Sequence, residues 1–158
     1  MRDITRHSVN GEIFLLNGGA VTWSSKKQRT VALSTTEAEY VALGQGTRTA
    51  LWLRQLLIEL NLENYITDNN DKVCVTVRTD SQSALALVKN PEYHARTKHF
   101  DIQLHFIREK SENGIIYYEY CSTEKLLADM LTKPLPRDKY RKLVQESGLT
   151  IEQETSPT

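Results

Sequence analysis

The sequence predicts a mixed α/β domain, and three observations carry that expectation. Segments of period two and period 3.6 alternate along the 158 residues. Hydrophobic residues make up 39% and charged residues 25%, the balance of a globular chain able to bury one core. Three acids, Glu39 in STTEAEY, Asp80 in VRTDSQSA and Asp129 in KLLADMLTK, fall at element edges that distant segments can bring together. A carboxylate cluster on such a scaffold is what two-metal phosphoryl chemistry requires.

The elements follow in order. Residues 11–17 (GEIFLLN) and 20–26 (AVTWSSK) read as strands joined by the Gly18-Gly19 turn. Residues 29–33 form a third short extended piece. From Thr36 to Leu60 the pattern is helical, with Leu53, Leu56, Leu57 and Leu60 on one stripe. Gly44 and Gly46 imply a kink or a close backbone approach there. Residues 61–72 are polar and read as a loop. VCVTVRT at 73–79 is dense in β-branched residues, and its apolar start implies a strand covered on both faces. A helix is expected from Ser81 to Val88, ended by Asn90-Pro91, and another from Thr97 to Glu112, closed by Asn113-Gly114. IIYYEYC at 115–121 is a strand. Short helices are expected over Thr123 to Thr132 and Pro136 to Ser147. With no repeat and no interior linker, residues 1–147 read as one domain and 148–158 as a disordered tail.

Twenty basic and twenty acidic residues give a net charge of zero, which argues against an indiscriminate nucleic-acid binder. The basic residues nevertheless gather in three knots: Lys26, Lys27 and Arg29; His94, Arg96, Lys98 and His99; and Lys133, Arg137, Lys139, Arg141 and Lys142. Each knot is either a phosphate-tracking patch or solvated surface. The histidine spacings of five and six make no recognised zinc pattern, and substrate contact by Arg96, Lys98 and His99 is the preferred reading. Cys74 and Cys121 lack a C-x-x-C partner and read as buried reduced thiols, pointing to a reducing compartment. No apolar run reaches the roughly 20 residues of a membrane span.

Each acid also has a purely structural reading. Ser34 with Glu37, or Thr36 with Glu39, fits a capping box that starts the helix. Asp80 ends a strand and precedes a helix, so it is either a helix cap or a residue at the ligand-binding end of a sheet. Asp129 sits inside a short apolar helix, where Asp has low propensity, and its alternative is to point at solvent.

The strings TWSSKKQRTVALSTTEAEYVAL, ALWLRQLLIEL, TDSQSALALVKNP, HARTKHFDIQLHFIREK and LADMLTKPLP resemble the ribonuclease H region at the end of the Pol polyprotein of copia-type long-terminal-repeat retrotransposons. The likeness covers about residues 5–136. It implies a ribonuclease H-like fold, a mixed five-stranded sheet flanked by helices, that hydrolyses the RNA strand of RNA–DNA hybrids with two Mg²⁺ ions. Under it, Glu39, Asp80 and Asp129 are catalytic metal ligands and Glu37 is the capping acid. Thr35, Thr36 and Gln82 match positions that contact the sugar edge of the hybrid. Selectivity for RNA would come from the 2′-hydroxyl across the minor groove. The expected location is cytoplasmic, in a virus-like particle, or nuclear.

The resemblance also marks a gap. The family's first catalytic Asp lies on a first, central strand some ten residues before the stretch matching TRHSVNG at 5–11, and Asp3 falls too late to replace it. The expectation is therefore a sheet lacking its first strand and a nuclease impaired by a lost ligand. The alternatives are a non-catalytic nucleic-acid-binding module and an assembly element whose open strand edges pair with the reverse transcriptase part of a polyprotein or with a second chain.

Overall fold

Helix α1 (Thr35–Glu59) is the beam on which the rest is assembled. The computed structural model describes residues 8–28, 34–90 and 98–149, with side chains of residues 98–101 outside that description. Strands β1 (Val9–Leu16) and β2 (Gly19–Lys27) form an antiparallel hairpin, turned by Asn17 and Gly18 at positive φ. Strand β3 (Val75–Thr79), helices α2 (Gln82–Lys89) and α3 (Lys98–Glu112) and strand β4 (Ile116–Tyr120) form a parallel β-α-α-β crossover, with Val75 opposite Ile116 and Thr79 opposite Tyr120. Helix α4 (Arg137–Glu146) closes the described chain. The architecture is mixed α/β.

The main core lies between α1, α2, α3 and β4. Tyr40, Ala50, Ala84, Ile107 and Ile116 are fully enclosed there, with Leu43, Leu85, Leu104 and Tyr118 around them. The glycines of α1 serve a close approach, not a kink, for the helix runs unbroken. A methyl group on Gly44 would lie 3.3 Å from Gln103 Oε1 and 3.8 Å from Ile107 Cδ1 of α3. Thr47, also fully buried, donates to the Leu43 carbonyl at 2.8 Å. Its single proton is thereby used, so the Tyr118 hydroxyl, 2.8 Å away, donates to Thr47 Oγ1.

Several expectations need correction. Strand β3 is not covered on both faces, because Thr76 and Arg78 are exposed and the strand alternates. Residues 123–132 do not form an α-helix. Residues 123–125 are a turn, and Leu127–Leu131 is a 3₁₀ helix. The loop after α1 contains a second 3₁₀ turn, Glu63–Ile66, and a bridge between Thr67 and Val73. Cys74 is buried as expected, but Cys121 is half-buried; both are free thiols. Where one mixed sheet lacking its first strand was expected, the described strands make two separate two-stranded sheets, β1–β2 and β3–β4. The extended piece expected at 29–33 and the tail from residue 150 lie outside the described residues.

Candidate functional site

The three acids reach one cleft from three different elements. At the start of α1, Ser34 is the cap: its Oγ accepts the Glu37 N–H at 3.1 Å. Glu37 is thus the first-turn acid, and Glu39, half-buried, is released from any capping role. At the end of β3, Ser81 caps α2 by accepting the Ala84 N–H at 3.1 Å, so Asp80 is not the cap either. Its Oδ2 accepts the Thr123 hydroxyl at 2.9 Å instead.

Asp129 belongs to the 3₁₀ helix Leu127–Leu131 and is 6% exposed, which overturns the solvent-facing alternative. Lys133 Nζ lies 3.0 Å from Oδ1, and Lys139 Nζ lies 3.6 Å from Oδ2. The second distance is too long for a hydrogen bond, and Oδ2 is buried with no hydrogen-bond partner. A buried carboxylate needs such cationic company, since desolvation opposes its charge. Lys139 also donates to the Thr123 carbonyl at 3.2 Å. Thr123 therefore links the two acids: its hydroxyl serves Asp80, and its carbonyl holds the lysine that faces Asp129.

Two further contacts set the walls. Gln28 Nε2 donates to Asn10 Oδ1 at 2.6 Å and to the Ala38 carbonyl at 2.8 Å, tying the start of β1 to the start of α1. Gly11 of β1 lies so close to the 3₁₀ helix that a methyl group there would meet Ala128 O and Thr132 Cγ2 at 2.6 Å. Residues of β1, α1, β3 and the Asp129 turn together line a cleft of about 840 Å³, Glu39, Asp80 and Asp129 among them.

Among the described residues, no three of His, Cys, Asp and Glu gather closely enough to hold a metal ion. Thr35, Thr36 and Gln82 sit in the first turns of α1 and α2, outside the cleft lining. Arg96 and Asp3 lie outside the described residues, and of Lys98 and His99 only the helical backbone is described. Lys133 and Lys139 belong to the basic knot read as either a phosphate-tracking patch or solvated surface, and both face Asp129. The four-residue spacing of Asp129 and Lys133 was a readable signal for that pair. Thr123 carried none.

No protein-family model matches the chain, and no solved structure matches it. Curated proteins do. The chain is 44% identical over 137 residues to the Retrovirus-related Pol polyprotein from transposon TNT 1-94 of Nicotiana tabacum, covering 85% of this chain and 10% of that protein. It is 37% identical over 143 residues to the Pol polyprotein from transposon RE1 of Arabidopsis thaliana, covering 90% of the chain and 9% of the relative. It is 31% identical over 137 residues to the Transposon Ty1-JR1 Gag-Pol polyprotein of Saccharomyces cerevisiae, covering 86% and 7%. The chain spans a tenth or less of the length of these relatives. Its homologues are thus Pol polyproteins of copia/Ty1-type retrotransposons, and the chain corresponds to one retroelement-derived segment of them.

Proposed function

We propose that this segment is a ribonuclease H-like domain that engages RNA–DNA hybrids and whose hydrolytic centre is impaired in the arrangement described. The observation that carries the reading is the delivery of Glu39, Asp80 and Asp129 to one cleft from the start of α1, the end of β3 and a 3₁₀ turn. Capping accounts for neither Glu39 nor Asp80, and the Thr123 hydroxyl engages only one oxygen of Asp80. Exposed Arg137 and Arg141 on α4 offer cations for a phosphate backbone.

The cofactor this reading calls for is a pair of Mg²⁺ ions, and carboxylate oxygens are the ligands that hard cation prefers. The donor chemistry suits it, but the arrangement does not. No three acids are gathered among the described residues, and two lysines already face the most buried one. Two ammonium groups beside a carboxylate oppose a divalent cation by charge repulsion, and Lys133 also occupies Oδ1. Binding without efficient cleavage is the expected behaviour.

The test uses the full chain with a hybrid labelled on its RNA strand, in Mg²⁺ buffer, beside Asp80→Asn. Salt-dependent binding with cleavage near background in both proteins supports the reading. Robust cleavage abolished by Asp80→Asn would show that the acids do assemble. Absence of hybrid binding at low salt would remove the functional assignment altogether.

A further inference from the structure

Helix α1 turns one stripe away from the rest of the molecule. Past its first residue, the exposed positions of the helix are Gln45, Arg48, Trp52, Gln55 and Glu59, spaced three and four apart as one helical face requires. The acid cleft takes other residues of α1, namely Glu39, Ala42, Leu43 and Gly46, so the stripe does not belong to it. Four of the five are polar, as a solvated face should be, but Trp52 is 60% exposed and has half-buried Leu51 and Leu56 on its flanks. One exposed aromatic means little by itself. The charges around it mean more. From Arg48 to Glu59 the spacing is four, three, four, which reads the same in both directions, and the two ends carry opposite charge. Arg48 is held with its guanidinium 5.7 Å from the centre of the Phe106 ring, and Gln55 Nε2 donates to Glu59 Oε1 at 2.9 Å. Side chains already placed lose less freedom on docking.

We infer that this stripe is the interface of a two-fold symmetric homodimer, in which the α1 helices of two copies pack antiparallel. Turned end for end, a second copy lays the same spacing against the first, with Arg48 of each copy opposite Glu59 of the other. A parallel pairing would set Arg48 on Arg48 and Glu59 on Glu59, so the charges select the antiparallel one. Trp52 then lies near the two-fold axis, level with Gln55 of the other copy. Leu51 and Leu56 meet their own symmetry mates on the two flanks, which puts apolar area at the centre and charge at the rim. Arg48 and Glu59 cancel within the stripe, which removes the attraction that a phosphate backbone would need. The helix rises about 16 Å from Arg48 to Glu59, so the contact is small and its affinity micromolar. The inference uses no strand edge and no catalytic acid, and it stands independently of the nuclease reading.

The test is sedimentation equilibrium of the full chain from about 1 to about 300 µM, where a monomer–dimer equilibrium with a micromolar dissociation constant is expected. Trp52→Ala should weaken it at least about tenfold while leaving the urea midpoint unchanged, since the side chain is exposed. Arg48→Glu and Glu59→Arg should each weaken it at least about fivefold by setting like charges opposite one another. The double variant Arg48→Glu with Glu59→Arg restores opposite charges and should return to within about threefold of the wild type. Glu59→Arg leaves the Phe106 contact untouched, so it carries the test if Arg48→Glu loosens the fold. A chain that stays monomeric up to about 300 µM overturns the inference. So does a dimer that survives Trp52→Ala, which would place the contact on another surface. A double variant no tighter than the single reversals overturns it too, because the antiparallel register requires the swap to recover.

Discussion

The two halves of the molecule are held together by different physics. The α1–α2–α3–β4 side is an apolar core in which Ile107, Ile116 and Tyr40 are completely enclosed. The hairpin β1–β2 brings Phe14 to that core, but its contacts with the Asp129 turn and α4 are largely backbone approaches. Gly11 touches the 3₁₀ helix, Ser25 Oγ donates to Leu131 O at 2.6 Å, and Ala20 N–H donates to Ser147 O at 2.9 Å. Gly148, at φ +77°, abuts Gly18 so tightly that an added methyl group would collide with the Gly18 carbonyl. Apolar burial tolerates modest reshaping of neighbours, whereas backbone contact through glycine tolerates no side chain. The acids line the cleft between these two regimes, so site geometry depends on both.

The strongest way to break the contrast is Ile107→Ala. Deleting a fully enclosed aliphatic side chain is expected to cost about 2–5 kcal/mol, read as a shift of the urea midpoint with unchanged m-value. If that shift is smaller than the one caused by Gly11→Ala, the apolar side is not the stability determinant. Gly11→Ala should cost roughly 1–3 kcal/mol by overpacking and should release the Asp129 turn, seen as faster amide exchange at residues 127–132.

A third comparison concerns the buried pair Thr47 and Tyr118. Thr47→Val strips the acceptor from the Tyr118 hydroxyl and should destabilise by about 1–3 kcal/mol. Burial pushes the Tyr118 phenol up from its ordinary 10.0 to about 12. Below pH 10 the phenol keeps its proton in both folded and unfolded chains. Above it the unfolded phenol ionises first, so this contribution to stability declines between pH 10 and about 12. A pH titration of the urea midpoint that stays flat through that window in the wild type would refute the assignment. Smallest is Ser34→Ala, which loses one cap and should cost about 1 kcal/mol, leaving the β3–β4 amides as protected as before.

How legible the molecule was differs between these halves too. Helix α1 was readable because the leucine stripe from Leu53 to Leu60 has one period and Ser34 signals its start. Strand β3 was located by Val73, Val75 and Val77, yet its exposure was misjudged, because composition does not reveal whether a neighbouring strand lies alongside. The segment 123–132 was misread as an α-helix for a similar reason. LADML fits both helical periods locally, and the 3₁₀ segment packs against Gly11, far away in sequence. For the site, the acids could be named from motifs, but Asp129's lysines depend on how α4 folds back, which no local pattern carries.

The parallel pairing of β3 with β4 has a consequence for synthesis. Everything from Gln82 to Glu112 must leave the ribosome before Ile116 can dock beside Val75. At cellular translation speeds that delay is on the order of seconds. Throughout it the nascent valine-rich strand is naked along both sides, with Arg78 as its one charge against clumping, so holdase capture during translation should matter more here than for a hairpin protein.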